Sequence, residues 1–159
     1  MEFREAVTKR HSIREFQPKD VSDETVKEII ELAKLAPSAG NLQSYKVVIT
    51  KKKLTSFDAP VNIVIFSDLE KSGARYGERG KTLYAIQDAT IFASYLQLAI
   101  VDAGLASVWV GSFDENELKK ELKIPGNLKP IAVIPLGYST SEKTERDRRS
   151  FEEIVLTQE

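Results

Sequence analysis

Two rhythms of apolar and polar residues run through this chain, and the switches between them mark out its elements. From Glu2 to Lys9, Phe3, Ala6 and Val7 share one face, which predicts a short helix. Ser22 precedes Asp23 and Glu24 and is a candidate N-cap, with acids where a helix dipole favours them. Val26, Ile29, Ile30 and Ala33 then recur at helical spacing until Pro37 stops the pattern. Tyr45 to Ile49 and Val61 to Phe66 read as strands. Leu69 to Lys81, rich in charge and in glycine, reads as a mobile surface segment.

The strongest helical pattern covers Leu83 to Gly104. One stripe holds Ile86, Ala89, Ala93, Leu96, Ile100 and Ala103, and a second beside it holds Ile91, Tyr95, Leu98, Val101 and Leu105. A helix that is apolar nearly all round must be covered on nearly all sides. Either a partner chain covers part of it or its own sheet wraps it, and a small domain favours the partner. Ser107 to Gly111 is a short strand. Asp114 and Glu117 form a capping-box pattern that opens a helix to about Leu122. The apolar run Pro130 to Leu136 predicts a buried strand. The tail from Glu142 to Glu153 carries nine charges in twelve residues, and Phe151, Ile154 and Val155 suggest a short closing helix or an arm.

Length and composition narrow the classes. The 159 residues suit one domain spanning 1–159, since domains peak at roughly 100–150 residues. The net charge of −1 gives no global field for nucleic acid or an anionic membrane. The longest uncharged run, Ala89 to Val101, has 13 residues and is too short to span a bilayer. The polar N-terminus lacks a secretory signal, so a cytoplasmic protein is expected. There is no cysteine, and His11 is the only histidine. Thiol chemistry and a multi-histidine metal site within one chain are thereby excluded, and redox work requires a bound cofactor.

Three motifs fail on context. Gly80-Lys81-Thr82 imitates the end of a phosphate-binding P-loop, but Arg75 stands where the first glycine belongs. No Gly-x-Gly pair exists for a dinucleotide fingerprint. There is no nucleophile elbow, and His11 beside Ser12 gives poor support for a serine triad.

Three polar clusters remain. Arg10, His11, Ser12 and Arg14 gather cations and a hydroxyl, a donor set suited to a phosphate monoester. Arg146, Arg148 and Arg149 form a second basic cluster; a fold that closed the tail over the first would make one anion pocket. Pro37-Ser38-Ala39-Gly40-Asn41 is a small, donor-rich loop that lets a flat ring approach the backbone. Each cluster by itself also reads as ordinary surface or as a helix-ending loop.

Taken together and in order, these segments resemble the nitroreductase family of FMN-dependent oxidoreductases. The resemblance runs from Arg10-His11-Ser12-Ile13-Arg14-Glu15-Phe16 through Leu35-Ala36-Pro37-Ser38-Ala39-Gly40-Asn41-Leu42-Gln43, its most specific match. It continues with Ile86-Gln87-Asp88-Ala89, Gly104-Leu105-Ala106-Ser107-Val108-Trp109, Gly111-Ser112-Phe113, Ile124-Pro125 and Leu136-Gly137-Tyr138, and closes with Arg148-Arg149 before Phe151 to Val155. It implies an α+β fold, a mixed and mostly antiparallel sheet around a long central helix, in an intertwined homodimer with FMN at the interface. Arg10, His11, Ser12 and Arg14 would hold the phosphate, the ribityl chain and the pyrimidine edge, joined at the phosphate by Arg148 and Arg149. Pro37, Ser38, Ala39 and Asn41 would come from the other chain and pack near the ring, and Gly111 and Ser112 would lie by N5.

The implied activity is hydride transfer from NAD(P)H through FMN to a small acceptor such as a nitroaromatic or quinone, with no side chain as nucleophile. A flavin carrier or sensor, and non-redox flavin chemistry, are the competing readings. The sequence departs from the family in three places. His11 stands where a second arginine is commoner, with an imidazole that can still donate. Ser44-Tyr45 replaces Pro-Trp. The segment before the long helix is short where fuller members carry lid helices and an Asn and a Lys on the flavin; Lys81 is the candidate for that Lys.

Overall fold

A computed structural model describes residues 1–156, so residues 157–159 of the expected single domain lie outside the described residues. Its centre is an antiparallel sheet of four strands: β1 (Tyr45–Thr50), β2 (Val61–Asp68), β3 (Ala106–Ser107) and β4 (Leu128–Gly137), in the order β1-β2-β4-β3. Strand periodicity sends alternate side chains to opposite faces. Val61, Ile63 and Ile65 of β2 and Ala132, Ile134 and Leu136 of β4 enter the larger core. Val64, Phe66 and Val133 enter the smaller one. Both faces of β2 and β4 are therefore covered, which is why these strands read as continuous apolar runs.

The larger core is closed by α2 (Asp23–Ala33) and α4 (Ala85–Asp102), the smaller by α5 (Glu115–Leu122) with Leu118 inward. The Ser22 hydroxyl caps α2 by accepting from the Thr25 N–H at 3.1 Å, and Asp114 caps α5 by accepting from the Glu117 N–H at 2.8 Å. Ala89, Phe92, Ala93, Leu96 and Ile100 of α4 are all fully buried. The chain's own sheet and α2 thus wrap most of this helix. One face stays open: Tyr95 of α4, Phe3 of α1 (Phe3–Lys9) and Leu35 after α2 border an apolar groove of about 630 Å³.

The structure alters two expectations. Leu69–Lys81 is no mobile segment: Leu69–Arg79 forms α3, bent at Gly77 (φ 59°, ψ −143°), and a π-helical turn, Gly80–Tyr84, joins it to α4. Tertiary contacts override the poor local propensity. Ser72 is fully buried, and Gly80 lies against it so closely that a Cβ there would collide with the Ser72 carbonyl oxygen. The strand expected over Ser107–Gly111 is interrupted. Val108 donates to the Pro135 carbonyl at 3.4 Å, but proline has no N–H to return, so pairing resumes only at Val110 with Val133. Pro130 is tolerated in β4 because the register shifts there, between Ile65 and Phe66 of the facing strand. The closing helix is α6 (Phe151–Ile154), with a capping box between Ser150 and Glu153. No helix among the described residues is long and apolar enough to cross a membrane.

Candidate functional site

The first basic cluster is fixed by the sheet. After α1 the chain runs extended, and Ser12 makes a parallel bridge with Ser107 of β3 while the Ile13 N–H donates to the Ser107 carbonyl at 3.0 Å. Ile13 is buried, so by strand alternation Ser12 and Arg14 are on the outside. They border a cleft of about 790 Å³ whose other wall is the tail, Lys143 to Arg148. The Lys143 ammonium ties that wall down by donating to the Thr8 carbonyl at 2.8 Å. Arg10, Arg14, Lys143, Arg146 and Arg148 line the cleft together with Glu145 and Asp147, so cations exceed carboxylates. Opposed guanidiniums and a hydroxyl are the donor set a phosphate monoester requires. Arg148 Nη1 donates to the Arg146 and Asp147 carbonyls, both at 3.1 Å, which turns its guanidinium back on the tail's backbone. Arg149 is exposed next to it, outside the residues lining the cleft.

His11 also lines this cleft, but with its proton committed. Nδ1 lies 2.8 Å from the Lys9 carbonyl, which only accepts, so Nδ1 carries the hydrogen. Nε2 is buried with no hydrogen-bond partner among the described residues. In the neutral ring that hydrogen is already donated, and Nε2 is left as an acceptor.

The loop Pro37–Gln43 stands apart from that cleft within one chain. It is a tight, unusual turn: Gly40 (φ 56°), Asn41 (φ 56°) and Gln43 (φ 50°) all lie in the left-handed region. Ser38 Oγ accepts from the Gln43 N–H at 2.9 Å. Asp88, in the first turn of α4 and 1% exposed, accepts from the Ala39 N–H at 2.8 Å and the Ser44 N–H at 3.2 Å. From outside, Arg75 of α3 donates to the Gly40 carbonyl at 3.4 Å. Pro37 and Asn41 are exposed, and Ser38 and Ala39 half-buried. Tyr45 stacks on Phe92 at 4.4 Å between ring centroids. Burial, and then the Asp88 charge, push its phenol above the usual 10.0.

Gly111 and Ser112 are exposed just after the Val110–Val133 bridge, with the Trp109 indole beside Gly111. Lys81 is not free: its ammonium pairs with Glu70 at 2.9 Å, and this hydrogen bond raises its pKa above 10.5. It braces α3 to the π-turn. Two groups do not stand out in the sequence. Asp88 reads there as an ordinary acid in a first helical turn, though an acid inside an apolar stripe is a signal. Lys143 reads as one charge in a charged tail.

A two-faced antiparallel sheet packed on a long buried helix, with a basic cleft at its edge between the N-terminal segment and the tail, defines an α+β protein. The sequence profile of the nitroreductase family matches residues 7–56 and 50–138, and the chain belongs to that family. It is 27% identical to an NADH dehydrogenase of Thermus thermophilus, over 98% of this chain and 96% of that one. Its fold matches the crystal structure of a nitroreductase family protein from Streptococcus pneumoniae TIGR4 with a TM-score of 0.90 and 26% identity, covering 99% of this chain and 100% of that one. It also matches an FMN-dependent nitroreductase from Clostridium difficile R20291 with a TM-score of 0.75 and 29% identity, covering 89% and 90%.

Proposed function

We propose that residues 1–159 form one FMN-binding unit that works as a homodimer, passing hydride from NADH or NADPH to a small acceptor such as a nitroaromatic or a quinone. The observation that carries this reading is the meeting of Arg10, Ser12 and Arg14 with Arg146 and Arg148 on one cleft. These residue types fit a flavin phosphate. When bound, FMN supplies the two-electron chemistry that a chain without cysteine needs from a cofactor, taking up and releasing hydride at N5.

The residues of this chain bind and orient. Arg10 and Arg14 hold the phosphate with Arg148 from the tail, Arg149 joining only by swinging in from beside the cleft, and Ser12 adds a neutral donor. His11, whose neutral form offers only a lone pair, suits a ribityl hydroxyl better than the phosphate. Pro37, Ser38, Ala39 and Asn41 border the ring held by the partner subunit, and Gly111 and Ser112 bring backbone N–H groups to N5. No side chain forms a covalent bond; the protein sets distance and stacking. Support for the homodimer comes from the open apolar groove, since Phe3 and Leu35 are each 75% exposed and a second copy would cover them.

The test is an absorbance spectrum of freshly purified protein. A flavin band that NADH or NADPH bleaches without oxygen, and that a nitroaromatic restores, is the expected result. Protein reconstituted with FMN that stays oxidised under excess of both nicotinamides overturns the reductase reading.

A further inference from the structure

We infer that Asp88 is the positioning residue for the ring-facing loop. This deepens the reading above and rests on it for its ligand. Asp88 is the one acid in the buried face of α4, and no cation is bonded to its carboxylate among the described residues. Its two oxygens instead take one N–H from each end of the loop, Ala39 at 2.8 Å and Ser44 at 3.2 Å. Ser44 is fully buried, so without Asp88 its amide would be an orphaned donor. Between these anchors the chain holds Gly40, Asn41 and Gln43 in the left-handed region, which Gly and Asn enter readily but Gln enters only at a cost. The core helix thereby dictates the shape of an exposed loop. Asp88 touches no ligand itself; it acts through the Ser38–Asn41 backbone.

Asp88→Asn keeps the volume but replaces one acceptor oxygen with an NH₂, so one loop amide faces another donor. The experiment compares wild type, Asp88→Asn and Asp88→Ala by amide hydrogen exchange at Ala39 and Ser44 without ligand, and by titration with FMN and with riboflavin. Asp88→Asn is expected to exchange those two amides more than about tenfold faster and to weaken FMN and riboflavin by the same factor, roughly tenfold or more, while thermal unfolding stays well above the assay temperature. Arg14→Ala provides the contrast: it weakens FMN but not riboflavin, which has no phosphate. Asp88→Asn protein that folds with wild-type exchange, or that exchanges faster yet binds both flavins as wild type does, overturns the inference. If Asp88→Ala fails to fold, Asp88→Asn still decides it. If wild type binds neither flavin, the FMN reading fails and so does the positioning of a ring, whereas the exchange data still report the clamp itself.

Discussion

Arg14 and Arg148 line the same cleft from opposite ends of the chain, one just past the first helix and the other just before the last. Their guanidiniums are the pair expected to grip an anionic ligand. Arg14→Ala and Arg148→Ala should each weaken FMN binding by about 1.5–3 kcal/mol, the worth of a charge-assisted hydrogen bond, or roughly ten- to a hundredfold. Lys27→Ala, remote on α2, should have no effect. Fluorescence titration at two salt concentrations checks both claims, since the arginine contribution should shrink as salt rises. Wild-type affinity in both arginine variants would remove the phosphate assignment.

The open groove between α1, α2 and α4 makes a second prediction. Leu35→Glu or Tyr95→Glu places a charge on a face that a second copy is proposed to cover. Sedimentation should show wild type at twice the 17.8 kDa chain mass and the variants at the single mass, with bound flavin lost in step. A wild-type monomer that retains flavin would contradict it.

Gly80→Ala tests whether the join between α3 and α4 is truly close-packed. The added methyl would meet the Ser72 carbonyl, a backbone atom that cannot swing away. A cost of about 1–3 kcal/mol is expected, seen as a fall of several degrees in Tm. Gly126→Ala, where a Cβ meets nothing, is the matched control.

Lys52 reaches from the end of β1 to Glu121 on α5, with Nζ 2.6 Å from Oε1. The hydrogen bond from Lys52, and then its charge, hold the Glu121 carboxyl below the ordinary 4.5. A depressed folded pKa means that the stabilisation is fully present above 4.5 and is lost as pH falls through the folded value. The pair is exposed, so the effect is small. The Tm gap between wild type and Glu121→Gln should exist at neutral pH and close in the acid range. A gap that persists at low pH would show that the ion pair is not its source.

Features that depend on neighbours along the chain are legible in the amino-acid sequence. The caps at Ser22 and Asp114, the stripes of α4 and the apolar runs of β2 and β4 each follow from local spacing. Features set by distant contacts are not. Gly73, Gly77 and the charges of α3 argue against a helix until Ser72 is buried and Lys81 reaches Glu70. The gap in the β3 edge depends on which residue Pro135 faces, and register is not written in composition. At the candidate site the two arginine clusters can be read, but their meeting depends on the Ser12–Ser107 bridge and on Lys143 bound to Thr8. The proton on His11 Nδ1 is hidden because a carbonyl two residues back decides it.

From Thr140 to Ser150 the chain is exposed and has neither helix nor strand, yet it forms one whole wall of the anion cleft. Substitutions there escape the filter of folding, so natural selection can reshape that wall without risking the scaffold. A single proteolytic nick in this stretch would open that wall and leave the sheet and its helices intact.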